Sequence, residues 1–131
     1  MTQIDHIGIA TSDLEESVRR WSALLGTEPE GTENVPSEQV RVAFFGTSTG
    51  RIELLQATAD DSPIARFIDR RGPGIHHVCV HVPDLELALA RAESAGLRII
   101  SPRIRSGAGG HRVAFLDPKQ NDGVLLELQG D

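Results

Sequence analysis

Two histidines and two glutamates recur in this chain at matched places, and their types could do chemistry together. His6 opens the apolar run Ile7-Gly8-Ile9-Ala10, and His77 opens Val78-Cys79-Val80, 71 residues later. Glu53 sits inside Arg51-Ile52-Glu53-Leu54-Leu55, and Glu127 inside Leu125-Leu126-Glu127-Leu128-Gln129, 74 residues later. A carboxylate among Leu and Ile is a local conflict, because burying a charge without a partner is expensive. Either glutamate alone could instead face solvent from a one-sided strand. Occurring together with matched histidines, His6, Glu53, His77 and Glu127 form two copies of one pair and a ligand set for a divalent metal. Mixed nitrogen and oxygen donors suit Zn²⁺, Co²⁺, Ni²⁺, Mn²⁺ or Fe²⁺. Four protein ligands would leave room on an octahedral ion for water or substrate.

The elements that must position these residues read as a duplication. Asp13-Leu14-Glu15 returns as Asp84-Leu85-Glu86 at the same spacing of 71 as the histidines, which marks an internal repeat. The first module predicts a strand over 4–10 and a helix carrying Leu14, Val18, Trp21, Leu24 and Leu25. Ser12 and Glu15 open that helix as a capping box, and Gly26 closes it. Strands follow over 27–33, 39–45 and 51–56, with a turn at Asn34-Val35-Pro36-Ser37 and a hairpin turn over 46–50. Ser62-Pro63 starts a short connecting helix that ends at Gly72-Pro73-Gly74. The second module predicts a strand over 77–82, a helix from Asp84 stopped by Gly96, and a strand over 97–100. A long Gly- and Arg-rich loop over 102–110 then leads to strands over 111–116 and 124–129. Each module is β-α-β-β-β, so the expected fold class is α+β, with the two sheets forming a cleft that contains the metal. One domain is expected over 1–131, built of two repeats (about 1–59 and 74–131) joined by the helical connector.

Composition narrows the partners. The net charge of −6 leaves no basic excess to meet a nucleic acid backbone. Arg98, Arg103, Arg105 and Arg112 nevertheless cluster around the last loop with Lys119 nearby, a local basic rim that suits a small anionic ligand. Solvated surface arginines are the plain alternative. Cys79, the only cysteine, excludes an internal disulfide framework and fits a reducing compartment. No apolar run approaches a membrane span, and the strand pattern begins by Ile4, so a cytoplasmic protein without membrane partners is expected. Half-modules of about 60 residues are marginal alone, so they should share a core or pair with a second subunit, and a homodimer is expected. Among the remaining histidines, strand alternation puts His76 on the face opposite His77. His81 lies further along the His77 face, and His111 enters a strand after Gly109-Gly110.

Paired modules with His and Glu on their first and last strands resemble the vicinal oxygen chelate superfamily, which includes glyoxalase I, extradiol dioxygenases and bleomycin-resistance proteins. Within it the chain is most similar to the methylmalonyl-CoA epimerase family, over essentially its whole length. The resembling phrases begin with Ile4-Asp5-His6-Ile7-Gly8-Ile9-Ala10, Ile52-Glu53-Leu54-Leu55, Asp61-Ser62-Pro63-Ile64-Ala65 and Gly74-Ile75-His76-His77. They continue with Gly107-Ala108-Gly109-Gly110-His111-Arg112-Val113-Ala114-Phe115-Leu116, Pro118-Lys119 and Gly123-Val124-Leu125-Leu126-Glu127-Leu128. The chain departs from the family pattern at Glu38-Gln39-Val40, where a Gly usually follows the Gln, and at Asp117, where the family usually has His.

The resemblance implies a metal-dependent epimerase that interconverts the 2R and 2S forms of methylmalonyl-CoA through a metal-stabilised enolate. It implies Glu38 and Glu127 as the acid/base groups on the two faces of that enolate, and Co²⁺ foremost as the cofactor, with Zn²⁺, Ni²⁺ and Mn²⁺ as alternatives. Read without the family, Glu38 is an exposed turn carboxylate. The small-molecule partner implied is an acyl-CoA, whose phosphates would meet Arg103, Arg105 and Lys119. Other readings of the same residues are a glyoxalase-like isomerase or lyase, and a metal-free small-molecule-binding resistance protein.

Overall fold

Two aspartates turn strand into helix at the same point of each module. In the computed structural model, which describes residues 1–130, β1 (Gln3–Ala10) is followed by α1 (Leu14–Leu25), and Asp13 accepts the Glu16 N–H at 3.1 Å. Likewise β5 (Gly74–His81) is followed by α3 (Leu85–Ser94), and Asp84 accepts the Leu87 N–H at 3.1 Å. The cap of α1 is therefore Asp13 and not Ser12. Asp13 is the residue with extended backbone immediately before the first helical turn, and its side chain satisfies a donor that the helix itself cannot. Gly26 closes α1 in the left-handed conformation expected of it, at φ 69°.

The first module continues with β2 (Gly31–Val35), a 3₁₀ turn (Pro36–Glu38), β3 (Val40–Thr47) and β4 (Gly50–Ala57). The strand expected over 27–33 starts later because Pro29 has no N–H to give the ladder, and the first bond is Glu30 N–H to Phe44 C=O at 2.7 Å. It also runs on through Asn34 and Val35, which delays the turn to Pro36. α2 (Pro63–Arg71) is the connector, with Ser62 capping Ile64 and Ala65 as its sequence implied.

The second module ends with β6 (Arg105–Ser106), β7 (Arg112–Leu116) and β8 (Leu126–Gly130). The strand expected over 97–100 is reduced to a single bridge, Ile99 to Leu116, since Pro102 cannot extend the pairing. The edge passes instead to Arg105–Ser106, inside the stretch expected to be loop.

The chain divides into two compact units, His6–His76 and the chain from His77 onward together with Met1–Asp5. In the first, the strands run β2-β3-β4-β1, with β1 parallel to β4 and the rest antiparallel. In the second they run β5-β8-β7-β6, with β5 parallel to β8. In each unit the four strands have an oily face under a helix. Leu14, Val18 and Trp21 of α1 pack on Ile9, Ala43, Phe45, Ile52 and Leu54. Leu85, Leu89 and Ala92 of α3 pack on Val80, Ala114, Leu116 and Leu128. By alternation the opposite face carries His6 and Glu53 in the first unit, and His77 and Glu127 in the second.

Candidate active site

Register places the chemistry. On the face away from α1, β1, β4 and β3 align Gly8 with Glu53 and Glu53 with Phe44. His6, two residues before Gly8, shares that face, and its Nδ1 lies 3.2 Å from Glu53 Oε2. On the face away from α3, β5, β8 and β7 align Cys79 with Glu127 and Glu127 with Phe115. His77 shares this face, and its Nε2 lies 3.1 Å from Glu127 Oε1. The ambiguity over the glutamates is thereby resolved, because Glu53 is 2% exposed and Glu127 7%. Both histidines are buried with them. The repeat preserves the pair but not the ring atom, with Nδ1 presented in one unit and Nε2 in the other.

These pairs suit a divalent ion in their donor chemistry. Ligand atoms about 2.1 Å from one ion and at right angles to each other are ~3.0 Å apart, close to the 3.1 and 3.2 Å seen within each pair. Imidazole with carboxylate is also the mixed donor set of borderline metals.

A second layer in both units was missed by sequence reasoning. The Arg51 guanidinium lies 5.2 Å from the Phe44 ring centre, and its Nη2 is 3.2 Å from Glu53 Oε2. Arg105 lies 5.1 Å from the Phe115 ring centre, and Phe115 meets His77 edge-to-face at 6.2 Å. Each His–Glu pair thus has an aromatic at its side with a cation over the ring. The signal available was that Phe44 and Phe115 are 71 residues apart, the spacing of the histidines. Gly107 completes the second unit's site. A Cβ there would crowd Val113, 3.1 Å from its Cγ1, and would stand in ordinary contact with Glu127 Oε2 at 3.6 Å.

The other expected residues fall as follows. Glu38 is half-buried in the 3₁₀ turn. The turn precedes Val40, which heads the row Val40, Val42, Phe44 on the Glu53 face. No glycine follows, and Gln39 itself adopts the left-handed conformation at φ 55°, ψ 49°. Arg103 reaches α3, with Glu93 at 3.0 Å and Glu86 at 3.7 Å. Its hydrogen bond to Glu93 raises the guanidinium further above its ordinary value. Arg103 and Arg98 line an open groove with Glu93 and Ser101, whereas Arg105 points to Phe115. Lys119 is exposed, and its N–H is taken by Asp117, which also meets Arg98 at 3.3 Å. Asp117, standing where the family usually has His, is therefore a turn cap and ion-pair partner. His76 packs edge-on against Phe67 of α2 at 5.0 Å. His81 Nδ1 lies 3.0 Å from Gln129 Oε1, His111 is exposed, and Cys79 is fully buried.

Known proteins resemble this chain along nearly its whole length. A family model described as the glyoxalase/bleomycin resistance protein/dioxygenase superfamily matches residues 5–115. The mitochondrial methylmalonyl-CoA epimerase of Dictyostelium discoideum is 36% identical over 128 residues, covering 97% of this chain and 77% of its own. The ethylmalonyl-CoA/methylmalonyl-CoA epimerase of Cereibacter sphaeroides is 36% identical over 129 residues, covering 97% of this chain and 96% of its own. A variant of Streptomyces coelicolor methylmalonyl-CoA epimerase, solved in complex with 2-nitronate-propionyl-CoA, superposes with a TM-score of 0.90 at 35% identity. That likeness covers 100% of this chain and 98% of the other.

Proposed function

Because the chain belongs to the glyoxalase/bleomycin resistance protein/dioxygenase superfamily, we propose that it is a metal-dependent epimerase acting on methylmalonyl-CoA. That it is an enzyme of the epimerase kind follows from the named relatives. The observation that carries metal dependence is the buried imidazole–carboxylate pair present once in each unit. On this reading His6, Glu53, His77 and Glu127 hold one divalent ion, with Co²⁺ foremost and Zn²⁺, Ni²⁺ and Mn²⁺ able to take its place. When bound, the ion supplies positive charge against the negative charge that develops on the substrate's oxygens.

The chain's own groups do the proton work. The carbon between a thioester and a carboxylate is acidic because its anion delocalises onto the thioester. Glu38 takes or gives the proton at that carbon on one face, and Glu127 does so on the other. On this reading Glu127 serves both as ligand and as acid/base. Arg51 keeps positive charge against Glu53, which favours Glu53 as a constant ligand. The same proposal includes a homodimer in the cytoplasm. No helix of the described residues is long and apolar enough to cross a membrane.

The test is metal analysis of the purified protein together with NMR of methylmalonyl-CoA in D₂O. The α-proton should exchange, both epimers should appear from either one, and chelation should stop both processes until Co²⁺ is restored. Exchange at full rate in chelator would remove the metal from the reading. No exchange in the metal-loaded enzyme would remove the substrate.

Arg103, Arg105 and Lys119 are proposed to meet the phosphates of coenzyme A. Arg103 must then give up Glu86 and Glu93 for the ligand, and its removal would leave those carboxylates facing the phosphates. The Arg103→Ala/Arg105→Ala double variant should raise KM for the CoA ester several-fold more than it lowers kcat. An unchanged KM would count against the assignment.

A further inference from the structure

We propose that Gln39 and Asp61 form a latch that fixes the direction of the Glu38 carboxylate, which makes both of them positioning residues for proton transfer. The inference rests on the reading of Glu38 as a base. It starts from the backbone. Gln39 holds φ 55°, a region that side chains other than Asn and Asp rarely enter, and such outliers persist only where the surroundings impose them. Three contacts impose this one. The Gln39 N–H bonds Pro36 C=O at 3.2 Å, the Gln39 C=O accepts the Thr58 N–H at 2.8 Å, and Gln39 Nε2 donates to Asp61 Oδ1 at 3.0 Å. The amide can face Asp61 only through its nitrogen, since a carboxylate offers acceptors alone.

Asp61 is itself held. The next residue, Ser62, is fully buried and caps α2, and Arg66 of α2 donates to the Asp61 carbonyl at 2.6 Å. The latch therefore joins the turn bearing Glu38 to the N-terminal end of α2 and, through Thr58, to the end of β4. The latch backs a short turn. The turn is three residues long, and Pro36 and Ser37 are exposed. A glycine after Glu38 would adopt the same φ without strain but would offer no side chain to tie down. A base that must meet a carbon-bound proton tolerates little displacement, and a misplacement of about 1 Å can cost on the order of 10²-fold in rate.

The variants are Gln39→Gly, Asp61→Ala and Asp61→Asn, each in the full metal-loaded enzyme. Gln39→Gly removes the strain and the latch together. Its melting temperature should hold or rise and its metal content should be unchanged, while kcat for epimerisation falls roughly 10- to 100-fold with KM near the parent value. Exchange of the α-proton in D₂O should fall only for the epimer that Glu38 serves. Asp61→Ala should behave in the same way. Asp61→Asn, which still offers a carbonyl oxygen to the Gln39 amide, should recover most of the rate. Parent-like epimerisation by Gln39→Gly would overturn the latch, as would an equal fall in exchange of both epimers. Glu38→Gln, run alongside, separates the two claims. If it too epimerises at the parent rate, the base assignment has failed. If it is slow while Gln39→Gly is fast, only the latch has failed.

Discussion

His77→Ala is expected to purify without its divalent ion and to regain it only weakly. His77 lies 3.1 Å from Glu127, both are buried, and Phe115 meets the imidazole edge-to-face, so alanine there takes a nitrogen donor out of a buried pair. Removing a group that merely supports a ligand typically lowers metal affinity 10- to 100-fold. Removing a ligand should cost more, so the drop in Co²⁺ affinity is expected to exceed about 10²-fold, with epimerisation lost in parallel. His6→Ala should show the same loss, because Glu53 keeps Arg51 at 3.2 Å but a guanidinium cannot bind a cation. Titration calorimetry with Co²⁺ and elemental analysis of the purified variants measure this directly. Undiminished metal content in His77→Ala would require the site to be redrawn.

Glu38→Gln should lose full epimerisation by about 10²- to 10⁴-fold, the usual effect of removing a positioned acid/base group. The substitution keeps shape and hydrogen-bonding reach but cannot take a proton, and metal content should stay at the parent level. A two-base enzyme removes the proton on one face and returns it on the other. The variant should therefore still exchange the α-proton of the one epimer that presents it to Glu127. Survival of one exchange with loss of the other is a signature that global damage cannot produce. Parent-rate epimerisation would leave Glu38 as a turn carboxylate.

The histidines and the paired aspartates were legible in the sequence because each is a local signal repeated at one spacing. The glutamates were half legible. Their strands could be read, but which face a strand residue takes depends on register with its neighbours, and only the pairing of Glu53 with Phe44 and of Glu127 with Phe115 decides it. Phe44 and Phe115 kept the repeat spacing, yet an aromatic in a strand announces nothing beyond a core. Their cations come from different places, Arg51 in β4 and Arg105 in β6, so no constant offset exposed them. β6 is a two-residue edge strand, too short to leave a pattern. At the start of α1, Ser12 and Asp13 both have the chemistry of a cap, and backbone geometry alone chose between them. The conformation of Gln39 had no signal, since its residue type argues against it.

The parallel pairing of β1 with β4, and of β5 with β8, bears on how the protein is made. Parallel neighbours cannot be joined by a tight turn, so the first strand of each module waits for the last. During synthesis, His6 emerges with nothing to meet until nearly the whole of its module has followed, and His77 likewise. Local helices and hairpins form before such distant closures, whose entropy cost must be met first. The two imidazole–carboxylate pairs are thus among the last contacts each module acquires. A nascent chain presents isolated histidines to cellular metals, and a matched imidazole and carboxylate exist only once a module has closed.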